Sequence, residues 1–194
     1  QWAVQEAAVN GAIDHIDVSA GGTGYKSGVG TAITGTSTNI TLELGANATD
    51  DYYNGLTIFI TSGTGANQLR TITDYEGSTK IATVDAVWTV GQEPNNTSEY
   101  SIAPPVTVTS GGIGTGSIAR VSNVDGGVIK KIAMVSVGTN YVHATASVTG
   151  GGTGAIISPI IAPPGGHGSN AVSELGGAFV MMNARLIGNE GADF

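Results

Sequence analysis

Leu56-Thr57-Ile58-Phe59-Ile60-Thr61 decides the fold class. Leu56, Ile58 and Ile60 recur at every second position, so an extended chain places all three on one face, whereas a helix would scatter them. The same texture of β-branched runs bounded by Gly, Asn, Asp and Ser returns at Ile40–Leu44, Leu69–Thr73, Ile81–Val84, Val106–Thr109, Ile129–Val135, Thr145–Val148 and Ala178–Ile187. An all-β protein is therefore expected, mainly an antiparallel β-sandwich or hairpin-rich fold with Gly-rich turns and one or two short helices. The helix candidates are Trp2–Val9 and Ser169–Gly176, the latter capped by Ser169 or Asn170 and stopped at Gly176.

Composition agrees with a folded, turn-rich chain. Of 194 residues 31 are Gly, 40% are hydrophobic and 11% are charged. Disorder needs the opposite balance, little apolar surface and much charge. Without Cys there is neither a disulfide framework nor a thiolate metal site. The net charge of −8, with Lys130-Lys131 the sole adjacent basic pair, argues against a nucleic-acid partner. No apolar run approaches the roughly 18 residues of a transmembrane helix, so no membrane is expected as a partner. The chain opens at Gln1 with no Met and no secretory pattern, and residues 1–10 are read as the start of a fragment of a longer chain.

Internal repetition organises the rest. Ile13-Asp14-His15-Ile16 followed by Gly22-Thr23-Gly24-Tyr25 is matched by Ile129-Lys130-Lys131-Ile132 followed by Gly138-Thr139-Asn140-Tyr141, at a constant offset of 116 (Ile13 to Ile129, Tyr25 to Tyr141). Gly24 stands where the second copy has Asn140, and these two residue types best tolerate a left-handed backbone, so both copies are expected to make the same turn. A second echo pairs Val108-Thr109-Ser110-Gly111-Gly112 with Val148-Thr149-Gly150-Gly151-Gly152, and each runs on into Gly-Thr-Gly-Ser-Ile or Gly-Thr-Gly-Ala-Ile. Residues 11–35 plus 104–161 are thus expected to form a repeated hairpin core. Residues 36–103 read as an inserted β unit carrying Trp88 and the pair Tyr52-Tyr53, with Pro104-Pro105 marking the return. Residues 162–194 read as a C-terminal loop, entered at Pro163-Pro164, and a strand.

Motifs of chemistry are sparse. Gly111-Gly112-Ile113-Gly114-Thr115-Gly116 suggests a phosphate loop, but a strand-like Ser117–Val121 follows it where a helix is required, and no Gly-Lys-Ser/Thr occurs, so it reads as a hairpin turn. His15, His143 and His167 lack metal-ligand spacing. His167, framed by Gly165-Gly166 and Gly168-Ser169, reads as a loop histidine, with a binding contact as the alternative. Asp50-Asp51 reads as a solvated turn because glycosidase chemistry needs two carboxylates converging across a cleft. No catalytic residue, cofactor or metal is expected.

Three stretches carry a family resemblance. Asn54–Gly65 with Gln68–Tyr75 resembles a β unit common in tailed-phage virion proteins, and the Gly-Thr-Gly-Tyr hairpins resemble phage repeats. Pro163-Pro164-Gly165-Gly166-His167-Gly168 through Phe179-Val180-Met181-Met182-Asn183 resembles baseplate wedge subunits of marine phages with T4-like contractile tails. The resemblance implies a structural virion protein without enzymatic activity, located in the tail baseplate and assembled in the host cytoplasm. It also implies partners among other baseplate or tail proteins and a homo-oligomer, a dimer. His167, Phe179, Met181 and Met182 are the candidate interface residues. The alternative is a carbohydrate-binding or adhesive β module in which Trp2, Trp88 or the tyrosines stack on sugars. Exposed coplanar aromatics would favour that module, and two carboxylates facing across a cleft would favour an enzyme.

Overall fold

The computed structural model describes residues 11–162. All of its regular structure is strand, in antiparallel pairs, and no helix occurs among the described residues. The strands are β1 (Ile13–Thr23), β2 (Gly28–Thr31), β3 (Thr34–Gly35), β4 (Asn39–Thr41), β5 (Thr57–Ser62), β6 (Leu69–Glu76) and β7 (Ile81–Val84). They continue with β8 (Glu99–Ala103), β9 (Val106–Ser110), β10 (Thr115–Asp125), β11 (Val128–Thr139), β12 (Ala144–Val148) and β13 (Thr153–Ile161). Both helix candidates, Trp2–Val9 and Ser169–Gly176, and the expected strand Ala178–Ile187 lie outside the described residues.

Seven strands form one sheet in the order β2-β8-β5-β6-β7-β4-β3. Its two ends, β2 and β3, are a single chain segment interrupted only by Ala32 and Ile33. Ala32 N donates to Ser98 O at 2.8 Å and Ile33 N to Thr41 O at 2.8 Å, so that segment joins both ends and the sheet closes into a ring. Closure leaves few unpaired edges and creates an interior to be filled. Leu56, Ile58 and Ile60, the residues of the founding pattern, all point inward and are buried, with Ile40, Leu42, Ile72, Ile102 and Trp88. Tyr53 packs edge-on against Tyr75 with centroids 4.8 Å apart, and the Tyr75 hydroxyl donates to Asn47 O at 2.5 Å.

These ring tyrosines make stability depend on alkaline pH. Burial pushes Tyr75 up from 10.0 to about 12, with smaller contributions from Tyr53 and Asp50; burial also raises Tyr53 and Tyr100. The folded chain holds these phenolic protons more tightly than the unfolded chain does. Their contribution is therefore intact below about pH 10 and is lost as pH rises through the folded values. Denaturant titrations are expected to show stability falling above about pH 10 by roughly 1.4 kcal/mol per pH unit for each such tyrosine. Tyr75→Phe should flatten the slope; an unchanged slope would remove Tyr75 from the account.

The remaining strands form three two-stranded ribbons, β1 with β13, β10 with β11 and β9 with β12, around a second core. Sequence-equivalent residues fill it in pairs: Ile13 and Ile129, Ile16 and Ile132, Tyr25 and Tyr141. Tyr25 N donates to Gly127 O at 3.1 Å, and Tyr141 N donates to Gly11 O at 2.9 Å. Each copy thus bonds to the other at equivalent positions, as the halves of a two-fold dimer do. The rings agree as well. Tyr25 Oη accepts from Ala155 N at 3.4 Å, and Tyr141 Oη accepts from Ser117 N at 3.4 Å. The turns match, with φ of 79° at Gly24 and 63° at Asn140.

One boundary differs from the sequence expectation. The sequence groups residues 28–35 with the repeated hairpins, whereas β2 and β3 belong to the ring. The chain leaves the repeated core after Ser27, not at residue 36. In the second copy the equivalent point is His143, from which the chain passes directly into β12. In the first copy the ring is spliced in at that point, and the chain returns through Pro104-Pro105 to β9, the partner of β12. The repeated core touches the ring where Lys26 Nζ lies 4.6 Å from the Tyr52 ring centre.

Candidate functional site

Groups that suggest chemistry by their residue type are mostly committed to turns. Asp50 Oδ1 accepts from Gly77 N at 2.8 Å, Asp51 Oδ1 from Asn54 Nδ2 at 2.7 Å, and Asp85 Oδ1 from Thr71 N at 2.9 Å. The loop 111–114 is held by Ser110 Oγ, which accepts from Gly112 N at 3.1 Å and Gly114 N at 3.0 Å. It leads into β10, so its amides face no helix dipole and no phosphate cradle is formed. His15 is exposed and lies 2.7 Å from Asp14 and 3.5 Å from Asp17. Among the described residues no group of three His, Cys, Asp or Glu is placed to hold a metal.

A different place does combine a cavity, a charge and an unmatched polar atom. Phe59 lies on the face of β5 opposite to Leu56, Ile58 and Ile60, yet is only 7% exposed. Its cover is the Arg120 guanidinium from β10, 4.0 Å from the ring centre. Beside this stack a cavity of about 380 Å³ opens between the ring strands and β10, lined by Gly30, Thr61, Glu99, Ser101, Arg120 and Ser122 among others. Arg120 Nη1 donates to Ser101 Oγ at a long 3.5 Å. Burial lowers the pKa of this guanidinium, since a partly desolvated charge is disfavoured. Glu99 Oε2 accepts from Ser62 Oγ at 2.5 Å. Ser122 Oγ is the one buried side-chain polar atom among the described residues without a hydrogen-bond partner.

The sequence places Arg120 in a strand and marks no role for it or for Ser122. The available signal was a charged residue in the otherwise apolar run Ile118-Ala119-Arg120-Val121, from a chain with only 7 basic residues. The candidate interface residues His167, Phe179, Met181 and Met182 lie outside the described residues. Trp88 and Tyr25, Tyr53, Tyr75, Tyr100 and Tyr141 are all at most 5% exposed, and Tyr52 is half-buried. The exposed large hydrophobic side chains are aliphatic; those of the repeated core are Ile118, Val135 and Val137 along the β10–β11 ribbon, Ile156 and Ile160 on β13, and Ile113 and Val142, while Val29, Ile33, Leu44, Val87 and Val90 are exposed in the ring unit.

No protein-family model matches the chain, no curated protein matches its sequence, and no solved structure matches its fold.

Proposed function

We propose that this chain is a structural virion protein, a component of a phage tail baseplate wedge that acts through protein–protein contacts and not by catalysis. The observation that carries the reading is the character of the surface. Trp88 and five of the described tyrosines are withdrawn into the two cores and Tyr52 is half-buried, while aliphatic side chains face solvent on equivalent ribbons. Ile118 and Ile156 occupy matching positions of the repeat and are 47% and 59% exposed. Aliphatic side chains exposed on ordered strands suit burial against another protein, and low charge density lets the contact close without desolvating many ions.

The test uses tailed particles carrying the gene for the full chain. Antibodies to the chain are expected to label the distal end of the tail in electron micrographs. Ile118→Asp with Ile156→Asp should change the stability of the purified chain by less than about 1 kcal/mol, as surface substitutions do. The same pair should abolish incorporation into particles. Particles that carry no label, or that incorporate the double variant normally, would refute the reading. Saturable binding to an array of glycans would favour the carbohydrate-binding alternative.

A further inference from the structure

We propose that Asp125-Gly126, at the turn between β10 and β11, is a site of spontaneous modification where the folded chain converts Asp125 to isoaspartate. The proposal stands on a comparison of two bonds to glycine and does not depend on the baseplate reading.

The chemistry is intramolecular. The backbone N of a glycine attacks Cγ of a preceding Asp or Asn, since glycine has no Cβ to obstruct the approach. An N–Cγ bond forms, and the amide proton leaves with the side-chain hydroxyl of Asp as water, or with the NH2 of Asn as ammonia. The product is a five-membered succinimide. Water opens it at either carbonyl, giving Asp or isoaspartate, whose backbone runs through Cγ and is one carbon longer. The glycine amide must be free of an acceptor to attack, and the side chain must be free to turn toward it.

Among the described residues, Asn54-Gly55 and Asp125-Gly126 are the dipeptides of this kind, and they form a matched pair. All four residues are exposed. Both glycines have left-handed φ, 80° at Gly55 and 58° at Gly126, and a Cβ on either would meet nothing within 4 Å. Their bonding differs. Gly55 N donates to Ile72 O at 2.8 Å, and Asn54 Nδ2 donates to Asp51 Oδ1 at 2.7 Å, so the ring unit holds both reacting groups. Gly126 N donates to no group among the described residues, and the Asp125 carboxylate makes no hydrogen bond or ion pair there.

The turn also carries a contact between the two copies of the motif. Gly127 O accepts from Tyr25 N at 3.1 Å, and a Cβ on Gly127 would stand 3.3 Å from Gly24 N. Asp125 pairs with Val128 across the turn and so sets where Gly127 lies. One extra backbone carbon between Asp125 and Gly126 displaces Gly127 from Tyr25. Modification therefore weakens the repeated core as the protein ages.

The test stores the full chain in warm, mildly acidic buffer, with and without urea, and maps its peptides by mass spectrometry after labelling with an isoaspartyl methyltransferase. Mapping keeps both sites apart from Asn10-Gly11, whose asparagine lies outside the described residues. In the folded chain, isoaspartate is expected at position 125 at least about tenfold faster than at position 54, because an amide freed only by local opening reacts in proportion to its open population. Urea should erase or reverse that difference. Asp125→Glu keeps the charge at an exposed position but makes the side chain too long for the five-membered ring. It should melt like fresh wild type, carry no label at the turn, and escape the fall in melting temperature that storage causes in wild type. The proposal fails if the folded chain gains no isoaspartate at position 125, or if position 54 reacts as fast folded as in urea. Isoaspartate at position 125 without a lower melting temperature would refute the weakening of the core.

Discussion

Trp88→Ala is expected to destabilise the chain by about 3–5 kcal/mol, the range for deleting a large buried aromatic and leaving a cavity behind. Trp88 is 1% exposed inside the strand ring. Its indole Nε1 donates to Asn39 O at 3.3 Å and its backbone N to Ser37 O at 2.8 Å, so it ties the segment after β7 back across β4. The Arg70 guanidinium lies 5.2 Å from the indole and is anchored by donation from Nη2 to Val87 O at 2.6 Å. Alanine would remove the filler of a closed ring whose backbone cannot collapse inward without breaking ladder hydrogen bonds. A loss of this size is a large part of the total stability of an ordinary domain. Hydrogen exchange should report it as lost protection in β5, β6 and β7. Trp88→Phe should cost less, because it retains part of the volume. A denaturation midpoint that Trp88→Ala leaves unmoved would mean that the ring does not depend on its plug.

Gly22→Ala and Gly138→Ala are expected to destabilise the repeated core by similar amounts, about 3 kcal/mol each, combining left-handed strain with overpacking. The φ values are 65° at Gly22 and 67° at Gly138. A Cβ on Gly22 would stand 2.4 Å from Thr153 O and 2.6 Å from Ala155 N. A Cβ on Gly138 would stand 2.6 Å from Thr115 O and 2.6 Å from Ser117 N. The obstructing atoms are backbone in both cases and cannot rotate away. Equal losses in urea melts would show that the two copies bear equivalent loads. A negligible loss at either site would show that its turn can relax, and the structural equivalence of the copies would not extend to their energetics.

Local periodicity made the fold class legible. Alternation at Leu56, Ile58 and Ile60 describes a strand wherever it is placed, and the offset of 116 exposed two equivalent turns before their partners were known. The Gly24 and Asn140 exchange was readable because backbone sterics at a left-handed position act on the residue itself. Strands β1, β8 and β13 escaped the pattern: β1 spaces Ile13, Ile16 and Val18 irregularly, β8 holds a single β-branched residue, Ile102, and β13 contains Gly154 and Pro159, residues disfavoured in strands. The departure of the chain at Ser27 escaped it too, because β2 reads as Gly28-Val29-Gly30-Thr31, with almost no apolar alternation to reveal which sheet it joins.

The cavity was beyond reach for a different reason. Sequence shows that Arg120 and Ser122 sit two positions apart in one strand. Their solvation and partners come from β2, β5 and β8, which the fold brings up against β10. Whether a guanidinium is paired, stacked on Phe59 or left with free donors depends on that long-range packing. The sequence by itself determined that this protein is built of antiparallel strands and contains a motif twice, because strand alternation and turn sterics act over a few residues. Only the tertiary structure decided that seven strands close into a ring, that Trp88 and five of the described tyrosines are withdrawn from the surface, and that Arg120 faces a cavity with no carboxylate among the described residues within salt-bridge distance. Burial and charge compensation are properties of neighbours in space, and those neighbours are distant in the chain.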